Sequence, residues 1–440
     1  MNKLGLSALV SAFALLSGCG GGSGSSGGSV NVPPTGSTPS PGGSSATIFQ
    51  ASGAGPLVAP IYFDANGNGV IDAGEPAAFT DATGAAGASV AGYLPNQNPP
   101  SGATMRLRTF GADSSTGFIV SELSAPRGAT VVSPVTTIID LAGDQTAVRR
   151  AFGMLSGPSA IRETTDLLSF AAAQRLNDPD SATAQDAARI TAINFRIIAL
   201  MQLLSRYQGD PVDVGSGAGP EGAQYIASVI QETGSADFSD AGFVLRTLQK
   251  GNAIFRYQPE QLDVAAEAFA KFMRSVPTSM SSLQEINGYH LAFRFFVLAN
   301  IRSVYAGYPS PELARVRALT EADWRAAVAR FADALRPVVG SRVYALPDYV
   351  ELRGTRVLSP ATLLRNDVSG FPYSVGGSGK TLTGVTVDPR FFGQVHARLE
   401  GGNIELYSSS SFNGYAYFDY TALSGGTETS ARVYLQVRQP

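Results

Sequence analysis

The spacing of apolar residues along this 440-residue chain changes its period twice. In residues 47–132 and 341–440, short runs alternate apolar and polar residues between Gly, Pro, Asn and Asp clusters, which is typical of β-strands and turns. In residues 133–340, apolar residues recur instead at three- and four-residue steps, which is typical of helices packed on a core. The chain is therefore predicted to be a multidomain α+β protein: an N-terminal β-sandwich, a helical middle domain and a C-terminal β-sandwich.

Capping residues, turn residues and apolar spacing predict where the individual helices and strands begin and end. Ser133 and Pro134 predict a helix N-terminus, and Gly143 predicts its end. Thr320 and Asp323 predict a capping box with Asp in place of the preferred Glu. Strands are expected at 57–63, 104–110, 117–122, 131–132, 382–387, 403–406 and 432–437, with hairpin turns at 401–402 and 425–426. Helices are expected at 183–207, 221–232, 239–250, 259–274, 281–305 and 320–336.

The N-terminal residues predict the compartment. Lys3 precedes an apolar run over residues 4–16, which has the length of a signal-peptide core and is too short for a transmembrane helix. Cys19, the single cysteine of the chain, follows directly and excludes an intramolecular disulfide. The sequence Leu-Ser-Gly-Cys at 16–19 resembles the lipobox of bacterial lipoproteins, which implies acylation of Cys19. Residues 1–18 are expected to be a lipoprotein signal peptide, and an ordinary signal with an incidental cysteine is the alternative.

The tract after the cysteine, up to residue 46, consists almost entirely of Gly, Ser, Pro and Thr. Such a composition cannot form a hydrophobic core, so residues 19–46 are predicted to be a flexible tether between the lipid anchor and the folded part. The protein is expected in the cell envelope, lipid-anchored in the outer membrane. Two further apolar stretches, 190–204 and 291–301, are interrupted by polar residues and are predicted to be buried helices. The net charge of −3 and the lack of a basic stripe argue against a nucleic-acid partner.

Residues 64–75 carry the strongest chemical signal, since they match the twelve-residue calcium-loop pattern at each specified position. Gly69 allows the sharp turn within the loop. The chain has no Lys or Arg between Leu4 and Met105, so we expect the loop carboxylates to lack a basic partner and to favour a cation. The predicted calcium ligands are Asp64, Asn66, Asn68, the Val70 carbonyl, Asp72 and Glu75. A solvent-exposed turn without metal is the alternative.

The flanks of this loop do not predict the two helices of an EF-hand, because Ile61-Tyr62-Phe63 precedes it and Pro76 follows it. Together with residues 80–84, the segment resembles the calcium-binding prealbumin-like B-type modules of serine-aspartate-repeat adhesins, over residues 50–125. That resemblance implies a rigid spacer with a structural calcium ion and a position for Asp81 near the ion. The segment 129–137 resembles a sequence that follows such modules in bacterial lipoproteins and adhesins.

The C-terminal residues 342–438 resemble the cadherin-like or Ig-like modules of bacterial adhesins. Leu363-Leu364-Arg365-Asn366-Asp367 matches their first corner, and Phe412-Asn413-Gly414 matches a turn that precedes an aromatic strand at 418–420. The resemblance implies an Ig-like β-sandwich. The acidic residues that bind calcium in such modules are absent after the corner, so no second metal is expected.

Enzyme signals are weak. The segment 376–381 resembles the end of a phosphate-binding loop, but its required first glycine is Ser374, so a hairpin turn is expected instead. His290 lies on the apolar stripe of a predicted helix, and His396 stands alone in a strand-like run. These observations favour a core role for His290 and argue against metalloprotease, cysteine-nucleophile and serine-triad chemistry. A hydrolase based on dispersed carboxylates stays open.

The leading hypothesis is a cell-envelope lipoprotein that acts as a calcium-stabilised surface scaffold or adhesion-type binding protein, without catalytic residues. Its expected partners are the membrane, through the lipid anchor, and surface polysaccharide or other envelope proteins. The alternative is a glycan-binding or carboxylate-dependent hydrolytic lipoprotein with its groove in the helical domain. Trp324 and other aromatic residues would line such a groove, but packing in a core is the more common role of these residues.

Overall fold

The computed structural model describes most of the chain from residue 49 onward. It covers residues 49–67, 77–80, 106–113, 119–204, 220–255, 257–305, 311–330, 343–344, 348–364, 368–369, 374–375, 380–424 and 426–437. The described residues form both helices and β-sheets, which confirms the predicted α+β class. The predicted signal peptide, the tether and most of the calcium loop lie outside these residues.

Seven short strands begin the described chain. They are β1 (Gln50–Ala51), β2 (Leu57–Val58), β3 (Pro60–Asp64), β4 (Ala77–Phe79), β5 (Arg106–Asp113), β6 (Ile119–Ala125) and β7 (Val131–Val132). Strand β5 pairs antiparallel with β2 and β3 on one side and with β6 on the other, and β4 continues the sheet from β3. Strands β1 and β7 pair in parallel as a separate ladder. The predicted strands at 57–63, 104–110, 117–122 and 131–132 each contain strand in the described residues, and 57–63 is divided into β2 and β3.

Ten α-helices follow. They are α1 (Pro134–Ala142), α2 (Gln145–Ala151), α3 (Ser181–Leu203), α4 (Pro220–Thr233), α5 (Ala241–Phe255), α6 (Pro259–Ser275), α7 (Leu283–Ala292), α8 (Ala299–Tyr305), α9 (Glu312–Ala318) and α10 (Glu321–Ala329), with a 3-10 turn at Ala172–Arg175. The six helical segments expected from periodicity all contain helix in the described residues. The short helices α2 and α9 were not predicted. No described helix combines the length and the apolar character that a membrane crossing needs.

Helix α1 shows why its ends were predictable. The Ser133 hydroxyl accepts the Thr136 N–H, the Thr136 hydroxyl accepts the Ser133 N–H, and Pro134 occupies the first turn, where its missing N–H has no cost. Gly143 ends the helix with φ of 79°, a left-handed conformation that favours glycine. The Thr320–Asp323 capping box of α10 is likewise present.

The predicted helix over 281–305 begins at Leu283, after the N-cap Ser282, and is not uniform. Residues Phe293–Leu298 form a π-helical segment between α7 and α8, with wider i→i+5 hydrogen bonding. Asn300 donates a side-chain hydrogen bond to the Phe296 carbonyl at 2.6 Å, just after the widened turn. Apolar residues that recur at three- and four-residue steps predict a helix, but they do not predict this local change of pitch.

The N-terminal sheet and the helices share one hydrophobic core. Ile61, Leu107 and Leu123 of the sheet lie in the same buried cluster as Ile198 of α3 and Trp324 of α10. Each of these side chains is at most 2% exposed. Full burial of such a side chain contributes about 1.5–3 kcal/mol, so the sheet and the helices stabilise each other.

The last part of the chain contains strands and one short helix. They are β8 (Val343–Tyr344), β9 (Asp348–Leu352), β10 (Thr355–Leu358), α11 (Pro360–Leu364), β11 (Val368–Ser369), β12 (Ser374–Val375), β13 (Lys380–Val387), β14 (Val395–Glu400), β15 (Asn403–Ser408), β16 (Gly414–Ser424) and β17 (Thr427–Val437), with a 3-10 turn at Pro389–Phe391. Two main sheets result, ordered β13-β16-β17-β9 and β10-β15-β14. Strand β9 joins β17 in parallel, and the other neighbours in these two sheets are antiparallel.

Both main sheets contribute to a second hydrophobic core. Val350, Phe418 and Val433 come from the four-stranded sheet, and Ile404 and Leu406 come from the three-stranded sheet. The Gly401-Gly402 turn has two positive φ angles, of 56° and 81°, as a tight hairpin between β14 and β15 requires. The predicted strands at 382–387, 403–406 and 432–437 are confirmed.

Candidate functional site

The predicted calcium loop joins two antiparallel strands. Strand β3 ends at Asp64 and β4 begins at Ala77, and Tyr62 pairs with Ala77 across the base of the loop. Strands, rather than the helices of an EF-hand, flank the loop, as its flanking residues predicted. The base of the hairpin therefore places the first predicted ligand, Asp64, at the start of the loop.

Asp64 is the predicted ligand that the structure describes most fully. Its side chain is fully buried, and its Oδ1 accepts a hydrogen bond from the Gly67 N–H at 2.7 Å. Gly67 has φ of 76°, a left-handed conformation that favours glycine. The aspartate thus folds the first residues of the loop back onto its own carboxylate. The second predicted ligand, Asn66, is exposed.

A basic partner for Asp64 is present, so the expectation that the loop carboxylates lack one is wrong for this residue. Arg108 Nε lies 2.5 Å from Asp64 Oδ2, and the Arg108 guanidinium also pairs with Glu122. Strand β5 places Arg108 beside β3, since Tyr62 pairs with Arg108 in the antiparallel register. Arg108 is 44 positions from Asp64 in sequence, so the residues near the loop could not predict this ion pair.

Among the described side chains, this corner brings together the carboxylates of Asp64 and Glu122 and the guanidinium of Arg108. Carboxylate and amide oxygens are the ligand types that calcium prefers. Asp64 and Asn66 thus fit a calcium ion. Asn68, Val70, Asp72, Glu75 and Asp81 lie outside the described residues, as does Cys19. Within the described ranges, no group of three or more His, Cys, Asp or Glu side chains is arranged to hold a metal.

The segment 133–137 that follows the sheet has a structural role. The Ser124 N–H of β6 donates to the Thr137 hydroxyl at 3.0 Å, and the Ser124 hydroxyl donates to Asp140 at 2.7 Å. At the same helix start, the Val135 N–H donates to Asn194 Oδ1 of α3 at 3.0 Å, satisfying a backbone donor that a helix N-terminus leaves free. These buried and part-buried bonds fix α1 against both the sheet and α3.

A buried carboxylate in the helical part is also engaged by neighbours. Asp186 of α3 is 1% exposed. Its Oδ2 accepts the Arg162 Nε–H at 2.7 Å and the Thr165 hydroxyl at 2.6 Å. Arg162 also pairs with Asp180, whose pKa is lowered by its hydrogen bond from the Thr183 hydroxyl and by backbone N–H donors. The network holds the irregular segment before α3 in place, so this carboxylate has a structural role.

Arg149 of α2 holds the irregular segment before α3 by hydrogen bonds. Its side chain is 7% exposed, and its guanidinium donates to the backbone carbonyls of Thr165 at 3.0 Å and Arg162 at 2.8 Å. A buried guanidinium stabilises the chain only when its donors have partners. Arg149 therefore extends the polar network that surrounds Asp186.

His290 lies in the helical core, as its place on the apolar stripe predicted. It is 2% exposed, its Nε2 lies 3.5 Å from Gln202 Nε2, and its ring meets Phe195 edge to face. Burial, with a smaller contribution from the positive charge of Arg294, lowers the pKa of His290 to about 3. The imidazole is therefore neutral at physiological pH and packs as a core side chain.

His396 lies on strand β14 in contact with an aromatic ring, rather than alone. Its imidazole stacks on Tyr407 of β15, with ring centroids 4.3 Å apart and planes 10° from parallel. The two residues are direct cross-strand neighbours in the β14–β15 register. Lys380 and Thr381, for which a hairpin turn was expected, instead begin strand β13, and the glycines before them lie outside the described residues.

Comparison with known proteins leaves the chain without an assigned family. No protein-family model, no curated protein and no solved structure matches it.

Proposed function

We propose that the protein is a cell-envelope lipoprotein, anchored through acylated Cys19, that acts as a calcium-stabilised surface scaffold or adhesion-type binding protein. The observation that best supports this proposal is the single hydrophobic core shared by the N-terminal sheet and the helices. A scaffold must hold its ends at a fixed separation. A continuous core provides this because the sheet cannot move against the helices without exposing buried apolar surface.

Polar contacts reinforce the same junction. The bonds of Ser124 to Thr137 and Asp140, and of Asn194 to the start of α1, are buried or part-buried, so bending there would break hydrogen bonds without solvent to replace them. The N-terminal β-sandwich of the proposal and the helical domain would then act as one rigid spacer above the tether.

Calcium would complete the N-terminal end of this spacer. Asp64, Asn66, Asn68, the Val70 carbonyl, Asp72 and Glu75 would hold the ion, with Glu75 as the bidentate ligand. The burial of Asp64 and its hydrogen bond to Gly67 support a preformed first ligand. The ion would offset the repulsion among the carboxylates of Asp64, Asp72 and Glu75 that the loop would bring together.

We further propose that the C-terminal strands form an Ig-like or cadherin-like β-sandwich, since two sheets contribute side chains to one core. Leu363 and Leu364, the first corner of that resemblance, are buried in this core. The expected partners are the membrane through the lipid, and surface polysaccharide or other envelope proteins at the exposed faces of the sandwich.

Replacement of the acylated residue tests the anchoring. In the Cys19→Ser variant, expressed in a bacterium that processes lipoproteins, acylation should be lost, because Cys19 is the only thiol in the sequence. The matched control, Ser23→Ala in the adjoining tract, should be acylated and membrane-bound like the wild type. A mature N-terminus other than acylated Cys19, found by mass spectrometry of the wild type, contradicts the proposal.

A second experiment tests the scaffold against an enzyme. The purified chain should leave esters, glycans and peptides unchanged, while cells that lack it should lose surface attachment or envelope assembly. Turnover of any such substrate that disappears with one Asp or Glu substitution in the helical part would favour a carboxylate-dependent hydrolase instead. Asp186 is unsuitable for that test because its loss should also unfold the segment before α3.

A further inference from the structure

A groove opens between the two main C-terminal sheets. Its volume is about 440 Å³, within the range of about 300–1,000 Å³ that is usual for small-molecule sites. One wall comes from Val385 and Val387 of β13, and another from His396 and Arg398 of β14, with Tyr407 of β15 behind them. Strands β13 and β14 are end strands of their sheets within the described part of the chain, so the groove is open at the edge.

Two exposed aromatic rings line this groove. Phe392, in the turn between β13 and β14, is 67% exposed, and Tyr407 is 43% exposed. They are two of the four large hydrophobic side chains that are exposed in the described ranges, the others being Leu155 and Val357. Exposed aromatic rings gathered in one concave site are typical of a binding surface.

The groove is organised before any ligand arrives. The stack of His396 on Tyr407 restricts both rings to one orientation. Ordered aromatic side chains lose little conformational entropy on binding, so they give more affinity than mobile ones of the same area.

The rim of the groove carries fixed polar groups. Arg398 Nε and Arg398 Nη2 donate to Glu405 at 3.1 and 3.0 Å, and Arg398 also pairs with Glu400. These contacts raise the pKa of Arg398, first through the hydrogen bond with Glu405. The rim therefore presents guanidinium donors at a set position, held there by carboxylate acceptors.

We propose that this groove binds a neutral oligosaccharide. A sugar ring combines C–H faces, which pack on aromatic rings, with hydroxyl groups that donate and accept hydrogen bonds. Among the described side chains that line the groove, Arg398 is the charged one, and an anionic ligand would compete with Glu400 and Glu405 for its guanidinium. A wholly apolar ligand would desolvate the rim without replacing its hydrogen bonds. The inference deepens the proposed function, on which it rests, because it names surface polysaccharide as the ligand class of the adhesion-type protein.

The test uses the detergent-solubilised full chain and an array of purified short oligomers of glucose, mannose, galactose and N-acetylglucosamine. Calorimetry then measures affinity for the tightest binder. The Phe392→Ala and Tyr407→Ala variants should each weaken binding about tenfold or more, as truncation of an aromatic anchor does. Val357→Ala is the matched control, since Val357 is 59% exposed on the same three-stranded sheet but does not line the groove.

Melting curves accompany each variant, and Tyr407→Phe provides a second readout because it keeps the ring in place. Failure of every neutral glycan on the array to bind overturns the inference, as does binding that survives the Phe392→Ala, Tyr407→Ala double substitution. Preference for sulfated or uronic-acid glycans, added as further probes, also overturns it. Acylation of Cys19 and surface attachment are measured on the same chain, so failure of glycan binding is distinguishable from failure of the proposed function.

Discussion

Arg108 Nε lies 2.5 Å from Oδ2 of Asp64, a carboxylate that is fully buried at the start of the predicted calcium loop. The pair joins β5 to the last residue of β3, so it fixes the base of the loop to the centre of the sheet. It also sets the charge at that corner, because a lone buried carboxylate there would be strongly unfavourable without a cation.

Removal of the arginine should therefore be costly. We expect Arg108→Leu to lower the free energy of unfolding by about 3 kcal/mol, because it removes the Arg108 guanidinium from the buried Asp64 carboxylate. Urea denaturation with a chelator present measures this change. The matched control is Lys250→Leu, which breaks the partly exposed pair with Glu232 and should cost about 0.5 kcal/mol. Equal losses of stability in the two variants would contradict the prediction that the buried Asp64–Arg108 pair stabilises the fold more than an exposed pair does.

Calcium should bind the loop with an affinity of about 10⁻⁴–10⁻³ M, which is typical of extracellular sites. At about 10 mM calcium, this binding should stabilise the fold by about 1–3 kcal/mol. We expect Glu75→Gln to abolish most of the effect, because it removes the bidentate carboxylate, while Glu163→Gln on the surface should not. Calorimetry and melting with and without chelator measure it, and an unchanged melting temperature in the wild type would identify the segment as a turn without metal.

The buried carboxylate of α3 gives a third prediction. We expect Asp186→Ala to lower the free energy of unfolding by about 3 kcal/mol, because Arg162 and Thr165 lose a buried acceptor. Asp180→Ala removes the exposed acid of the same network and should cost clearly less. Limited proteolysis adds a local readout, since cleavage between residues 154 and 180 should increase in Asp186→Ala. Similar proteolysis of the two variants would contradict the role given to Asp186.

The sequence predicted elements well where a local pattern determines them. Ser133, Pro134 and Gly143 define α1 because a cap acts on the backbone within a few residues. The seven-residue helices α2 and α9 were not predicted, because two helical turns contain too few apolar positions to show a period. The π-helical segment was not predicted either, because the spacing of apolar residues does not distinguish i→i+5 from i→i+4 hydrogen bonding.

Contacts between distant elements were not predictable in the same way. Alternation showed that 57–63 and 104–110 are strands, but the register that brings Arg108 beside Asp64 depends on how two whole strands pair. The stack of His396 on Tyr407 likewise depends on the β14–β15 register. The core that the N-terminal sheet shares with the helices depends on which apolar faces pack together. The spacing of apolar residues predicts that each element has an apolar face, but not which other face it contacts.

The buried histidine gives the last prediction, which concerns pH. The pKa of His290 is lowered to about 3 in the folded chain, whereas an unfolded histidine has a pKa of about 6.5. The unfolded state therefore binds more protons below pH 6.5, so the stability that neutral His290 supports is full above that pH and falls as the solution is acidified. The expected slope is about 1.4 kcal/mol per pH unit between pH 6.5 and the folded pKa.

Urea denaturation at several values between about pH 7 and pH 5 measures this slope before most carboxylates titrate. His290→Gln should flatten the curve, because glutamine does not ionise and can still contact Gln202. Phe195→Leu is the control: it disturbs the ring that meets His290 and should lower stability at every pH without changing the slope. If the wild type and His290→Gln show the same slope over this range, His290 is not the group that couples folding of the helical core to pH.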